Sequence, residues 1–279
     1  MGEGCRAAAL VIVEQQRIIA IHHADQVITA VVIVFDAALF CTQSIAIVLH
    51  RKGRISDRHG IKAPAYTETI NDIDGDIVNL FRVCRESPAD LARLISLTPF
   101  SRDEFKNCYE HSENPIEQAR RTLVRYHQSF GTTNSSKNSW RNVQTYGGPR
   151  CATMWNDLPQ IVNDVAARLK EAQIENTDAI KLIERYNNPQ TLIYIDPPYL
   201  PELRKHYMYK HEMSVKDHIK LLETITQSKS MIIISGYDNE LYNETLHDWF
   251  TDVVTAQAQM GKKRTEKLWM NFPYQYSLF

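Results

Sequence analysis

The chain has 279 residues, a formal net charge of −1, and is 43% hydrophobic and 23% charged. That length holds one large domain or a core domain with an insertion. The near-neutral balance argues against a globally basic nucleic-acid binder, so any such partner has to be read from local charge.

Five cysteines, at 5, 41, 84, 108 and 151, are odd in number and form no C-x-x-C pair. This argues against a disulfide framework or a structural zinc site and points to a reducing, cytoplasmic compartment. The first residues lack the basic stretch that opens a signal peptide. The apolar run from Val27 to Leu49 is interrupted by Asp36 and Gln43; a membrane span with a central Asp would be costly, so the run is read as buried structure. Residues 1–65 hold no Trp, no Tyr and one proline, Pro64, with no clear amphipathic period or cap pattern.

From Thr67 onward the punctuation is clear. Thr67 to Asp72 reads as a short strand, followed by a helix with Ile77, Leu80, Phe81 and Cys84 on one face. Ser87-Pro88-Ala89-Asp90 is a helix start, with Ser at the N-cap, Pro at the first helical position and an acid two residues on. Ser101 to Glu104 opens another helix, and a further one is expected from about Pro115 to Tyr126. A loop-rich stretch spans Gly131 to Met154. An amphipathic helix follows from Leu158 to Ala172 through Ile161, Val162, Val165 and Leu169.

The rest alternates. Short strands are expected at Ile174 to Asn176, Thr191 to Ile195 and Met231 to Ile234. Helices are expected at Asp178 to Tyr186, from a Ser214 cap to Gln227, and from about Glu240 to Trp249. Val253 to Ala258 and Lys267 to Asn271 pair as a closing hairpin. Such alternation predicts a mostly parallel α/β sheet with helices on both faces, and ligands at the carboxyl ends of its strands.

Asp196-Pro197-Pro198-Tyr199 follows directly on one of those strands. Two adjacent prolines fix the backbone in an extended form and remove two donors. What remains is a carboxylate, outward carbonyls and an aromatic ring. That set suits a planar base with an exocyclic amine: the Asp196 carboxylate and the Pro197 carbonyl each accept one amine hydrogen, and Tyr199 stacks on the ring. Held so, a delocalised amine is poised to attack a methyl sulfonium by positioning and electrostatics alone. The same four residues also suit a strand-to-helix turn that uses proline.

From Gln118 to Asn156 there is no Asp or Glu. The window carries Arg120, Arg121, Arg125, Lys137, Arg141 and Arg150, interleaved with aromatic and amide side chains. Basic groups neutralise phosphates, amides and arginines read base edges, and aromatics fill the gap left by a flipped base. The plain alternative is a solvated loop with a few core aromatics. Arg204 to His211 suits either a lid over DNA or an exposed loop. The histidines at 22, 23, 50 and 59 have no metal-ligand spacing.

Taken together, the Asp196 motif and the segments Glu68–Val83, Leu97–Phe105, Arg168-Leu169 with Ile174–Asp178, Ile234–Tyr237 and Arg264–Asn271 resemble, in order, the motifs of the Dam-like (D12 class) DNA adenine-N6 methyltransferases. The resemblance implies a Rossmann-like S-adenosylmethionine-dependent methyltransferase sheet with a helical or loop target-recognition insertion. It implies S-adenosylmethionine as cofactor, a flipped adenine in double-stranded DNA as substrate, a restriction-modification setting, and neither metal nor membrane. Asp72 would accept the cofactor's ribose hydroxyls, where a strand-end turn is the alternative. Asp178 would contact its adenine amine, where a helix N-terminal acid is the alternative.

The expected organisation is an atypical segment 1–66, a catalytic domain of 67–110 and 157–279, and a DNA-recognition insertion at 111–156 carrying Arg120, Arg121, Arg125, Lys137 and Arg141. One feature of the family is missing. Its aromatic-x-Gly-x-Gly loop ahead of the second motif finds only Gly53 and Gly60 amid charged residues, and Gly2-Glu3-Gly4 has no strand before it. Residues 1 to about 65 are therefore expected not to be the family's N-terminus but the product of a shifted frame, a wrong start or a recombination. The competing reading is a catalytically inactive relic that at most binds DNA. A third, methylation of RNA adenine or a glutamine side chain, is weakened for glutamine by Asp196, where such enzymes usually show Asn.

Overall fold

The computed structural model describes residues 8–9, 45–50, 67–129, 139–141, 151–203, 210–257 and 263–275. Strands β1 (Ala8–Ala9) and β2 (Ile45–His50) precede β3 (Thr67–Asn71). Helices α1 (Gly75–Glu86), α2 (Pro88–Leu97), α3 (Arg102–Asn107), α4 (Pro115–Gln128) and α5 (Cys151–Leu169) follow. The chain then runs β4 (Ala172–Glu175), α6 (Ala179–Arg185), β5 (Thr191–Asp196), a single 3-10 turn at Pro201–Leu203, α7 (Val215–Thr226), β6 (Met231–Gly236), α8 (Glu240–Thr245), β7 (Phe250–Gln257), β8 (Lys263–Met270) and β9 (Tyr274–Gln275).

Seven strands form one sheet in the order β4-β3-β2-β5-β6-β8-β7, and β1 pairs with β9 in a small separate one. Alternate residues of β5 feed two cores. Leu192 and Tyr194 pack with α1, α2, α4 and α5 on one face. Ile193 and Ile195 pack with α6, α7 and α8 on the other. This is the period of two expected of a strand covered on both sides, and the molecule is a mixed α/β structure with helices on each face.

The expectation of a mostly parallel sheet needs correction. β3–β4 and β5–β6 are parallel, but β2 runs against both β3 and β5, and β8 runs against both β6 and β7. The reversal of β8 is the expected hairpin. That of β2 departs from the expected alternation: it occupies the middle of the sheet with Ile45 opposite Asp196 and His50 opposite both Thr191 and Thr67. Of the apolar run Val27–Leu49, Ile45–Leu49 is strand, and the remainder lies outside the described residues.

Local signals act as expected at most helix starts. Ser101 accepts from the Glu104 amide. Ser214 and Asp217 form a reciprocal capping box at α7. Ser87 stands at the N-cap of α2 without a side-chain cap bond, Pro88 supplying the first helical position. Several boundaries differ, α8 and α5 by most. α8 ends at Thr245, short of Trp249. α5 begins at Cys151 and continues through Pro159, because Trp155 is buried one turn earlier and donates from Nε1 to the Thr98 carbonyl at 2.8 Å. Anchoring that turn to the end of α2 outweighs the bond that proline removes.

Part of the segment expected as an insertion, 111–156, is described. Ala119, Leu123 and Val124 of α4 are fully buried in the same core as Phe81 and Leu169, so α4 is built into the helical layer. The stretches 130–138 and 142–150 lie outside the described residues.

Candidate active site

β5 delivers Asp196 to the carboxyl edge of the sheet, and Pro197, Pro198 and Tyr199 are buried directly behind it. Ser235, at the matching end of β6 and fully buried, donates from Oγ to Asp196 Oδ1 at 2.9 Å. The Tyr194 hydroxyl donates to Ser235 Oγ at 3.1 Å. One carboxylate oxygen of Asp196 is thereby held by a short chain of hydroxyls rising from the two central strands. The Tyr199 ring meets that of Tyr237, with centroids 4.4 Å apart and planes at 61°, an edge-to-face contact favoured by the ring quadrupoles.

A cleft of about 320 Å³ opens at this edge. Its walls are Asn71 and Ile73 after β3, Thr177 to Ile180 after β4, and Ile195 to Pro198 of β5, closed by residues 211–213 and the start of α7. The turn regions are tied together. Asn71 Nδ2 donates to the Thr177 carbonyl at 3.0 Å and Asn71 Oδ1 accepts from the Thr177 amide at 2.9 Å. Asn176 Nδ2 donates to the carbonyls of Asp72 and Ile73. Asp178 caps α6, accepting from the Ile180 and Lys181 amides, and both bonds fall on Oδ1. Thus the residue that suited either a helix cap or a ligand contact is a cap by one oxygen while it lines the cleft.

Asp72 is not on the cleft surface. It is 2% exposed, accepts from the Asp74 amide at 2.7 Å, and burial pushes its carboxyl up to about 8. Lys210 binds Asp74 Oδ1 at 2.9 Å and Asp76 Oδ2 at 3.1 Å. This links the chain just beyond the Asp196 motif to the start of α1.

The three arginines of α4 find their acids outside the acid-free window. Arg120 binds Glu117 at 2.7 Å and Glu104 at 2.8 Å; Arg121 binds Glu117 at 2.8 Å and donates to the Glu110 carbonyl. Arg125 reaches Asp76 at 3.3 Å. Hydrogen bonds from Arg120, then Arg121, hold Glu117 down at about 2. Arg141 is half-buried, its backbone amide donating to the Gln128 carbonyl, and Lys137 lies outside the described residues. Sequence reasoning leaves Ser235, Tyr237, Asn71 and Asn176 without roles. All four sit within quoted motifs, but their partners are strands or turns distant in the chain.

Among the described residues, no group of three or more His, Cys, Asp or Glu is arranged to hold a metal ion, and no helix is long and apolar enough to cross a membrane. In comparison with known proteins, the sequence model of the D12 class N6 adenine-specific DNA methyltransferases matches residues 59–261. No curated protein matches the chain.

Proposed function

The chain belongs to the D12 class N6 adenine-specific DNA methyltransferase family, and on that premise we propose that it transfers a methyl group from S-adenosylmethionine to N6 of an adenine flipped out of a specific site in duplex DNA. The observation that carries the reading is the cleft in which Asp178 and the Asp196-Pro197-Pro198 backbone share one wall system at the carboxyl edge of the sheet. This is where an open α/β sheet of Rossmann-like type binds ligands. Bound there, S-adenosylmethionine supplies an electrophilic methyl sulfonium.

The chain's own residues do the rest by positioning. The Asp196 carboxylate and the Pro197 carbonyl accept the two hydrogens of the adenine amine, and Tyr199 stacks on the base. Ser235 fixes Asp196 through Oδ1. Asp178 has a carboxylate oxygen for the cofactor's adenine, and Asp72, buried in this structure, is proposed to grip its ribose once it is uncovered. Lys137 and Arg141 are proposed as DNA contacts beside Arg120, Arg121 and Arg125, whose present carboxylate partners would have to be exchanged for phosphates. In domain terms, 67–110 and 157–279 are the catalytic unit and 111–156 the DNA-recognition insertion.

Asp196→Ala tests the pocket: methyl transfer is expected to fall below a few per cent of an active parent while DNA affinity is nearly unchanged. Retained turnover would remove Asp196 from the chemistry. Replacing Arg141 by Gln is expected to lower the slope of log affinity against log salt by about 0.9, the loss of one phosphate contact, and an unchanged slope would place it away from DNA.

The second reading, an inactive relic, is favoured by one observation: β2 runs against β3 and β5 in the centre of the sheet. Incubating unmethylated genomic DNA with the chain and S-adenosylmethionine, then digesting to nucleosides, separates the two. N6-methyl-2′-deoxyadenosine supports the enzyme, and its absence with retained DNA binding supports the relic.

A further inference from the structure

Two hydroxyls sit on a sheet face that is otherwise apolar. Tyr194 of β5 is 3% exposed, and Ser235 of β6 is fully buried. Leu192 and Tyr194 alternate onto the face covered by α1, α2, α4 and α5, and Ile233 of β6 does the same. With a period of two, Ser235 follows Ile233 onto that face. β5 and β6 are parallel with Ile195 opposite Ile234, so Ser235 stands one step beyond that pair, level with Asp196. Phenylalanine and alanine would fill the two positions without burying a polar group. A buried hydroxyl is costly unless it is hydrogen-bonded, and here the bonds of both lead towards Asp196.

The protons run one way. The Tyr194 hydroxyl donates to Ser235 Oγ at 3.1 Å. Ser235 has a single hydroxyl proton and two acceptors in reach, Asp196 Oδ1 at 2.9 Å and the Ile195 carbonyl at 3.3 Å. The carboxylate offers the shorter bond, and the charge-assisted one. The phenol proton fills an acceptor position on Oγ and so restricts rotation of the Ser235 hydroxyl. Linked bonds in a site of low dielectric also polarise one another, so the donation from Tyr194 strengthens the donation to Asp196. Without the phenol, Oγ divides its proton more evenly between carboxylate and carbonyl. Neither Tyr194 nor Ser235 lines the cleft. Both therefore reach the reaction only through the orientation of the Asp196 carboxylate. Chemistry driven by positioning is steep in that orientation, losing up to about a hundredfold for a misplacement of about 1 Å.

We infer that the Tyr194 phenol is a positioning residue for methyl transfer, acting on Asp196 through the Ser235 hydroxyl. The inference rests on the proposed role of Asp196 as acceptor of the target amine. It adds to that role a buried support that touches neither DNA nor the methyl donor.

A double-mutant cycle on the full chain is the test, read as initial rates of methyl transfer from S-adenosylmethionine to sheared unmethylated genomic DNA. Both substitutions delete an oxygen and add no atom, and rates are normalised to folded protein by circular dichroism. Ser235→Ala is expected to lower kcat by about tenfold and Tyr194→Phe by about threefold. KM for DNA and for S-adenosylmethionine is expected to stay within about twofold of the parent, since the contact orients and does not bind. Adding Tyr194→Phe to Ser235→Ala is expected to cause no further loss, because the phenol has lost the group it acts through. Parental turnover in Tyr194→Phe, losses that multiply in the double variant, or a change confined to KM would each overturn the inference. With an active parent and an inactive Asp196→Ala, those results leave the role of Asp196 standing. A parent without turnover would overturn both.

Discussion

At the scale of single residues, the clearest energetic statement concerns Asp72. Its carboxyl is buried, and burial raises it from an ordinary 3.8 to about 8. The ionised form is the one the fold disfavours. Between those two values the folded chain retains a proton that the unfolded chain has released, so this group lowers stability progressively as pH rises through the window. Every tenfold difference in proton affinity between the two states corresponds to about 1.4 kcal/mol. Asp72→Asn keeps an acceptor for the Asp74 amide and removes the charge. The variant is therefore expected to gain stability relative to the parent as pH rises from 3.8 towards about 8, read as a widening gap in unfolding midpoint. A gap that does not change with pH would mean that Asp72 is solvated in the folded chain.

Elements are held by exchanges between neighbours, and α4 shows it best. The arginines on its surface are in contact with Glu117, Glu104 and Asp76, and Glu117 serves two of them at once. Charge-assisted bonds of this kind are worth roughly 1.5–3 kcal/mol, less where water screens them. Glu117→Gln is expected to lower unfolding free energy by about 1–2 kcal/mol at neutral pH. A carboxyl held below its usual range stabilises the fold above its unfolded value and loses that contribution as pH falls. The deficit should therefore close as pH approaches about 2, the value at which Glu117 titrates; a constant deficit would assign it to packing. On the other face of the sheet, Ser214→Ala removes the hydroxyl half of the capping box of α7 and leaves Asp217 accepting from the backbone amide of residue 214. A loss of about 1 kcal/mol in urea denaturation is expected, and no change would show that Asp217 caps the helix alone.

Across the whole molecule, among the described residues, the two cores meet through the sheet, and β5, β6 and the end of β8 carry buried residues on both faces. Their amides are expected to exchange with deuterium most slowly, opening only with global unfolding, while α3 and α8 at the periphery exchange sooner. Faster exchange in β5 than in α4 would mean that the helical layer around Leu123 is the more stable unit and the sheet opens independently.

Much of this architecture is legible in the amino-acid sequence because it is locally encoded. Caps at Ser101 and Ser214, the apolar stripe of α1, the short apolar runs of β5 and β6 and the Asp196-Pro197-Pro198-Tyr199 motif after a strand all depend on residues a few positions apart. Their spacing alone determined the α/β class, the covered sheet and the place of the candidate pocket at a strand end. Three features were decided by tertiary structure. α5 extends ahead of Pro159 because Trp155 finds the end of α2. The arginines of α4 are electrically balanced because Glu104, Glu117 and Asp76 reach them from outside the acid-free window. The direction of β2 is the third. An apolar run such as Ile45–Leu49 alternates identically read either way, so its composition specifies a strand and not its polarity. Polarity comes from which neighbours offer open edges and where the flanking chain must leave, and these are set by residues far away in the sequence.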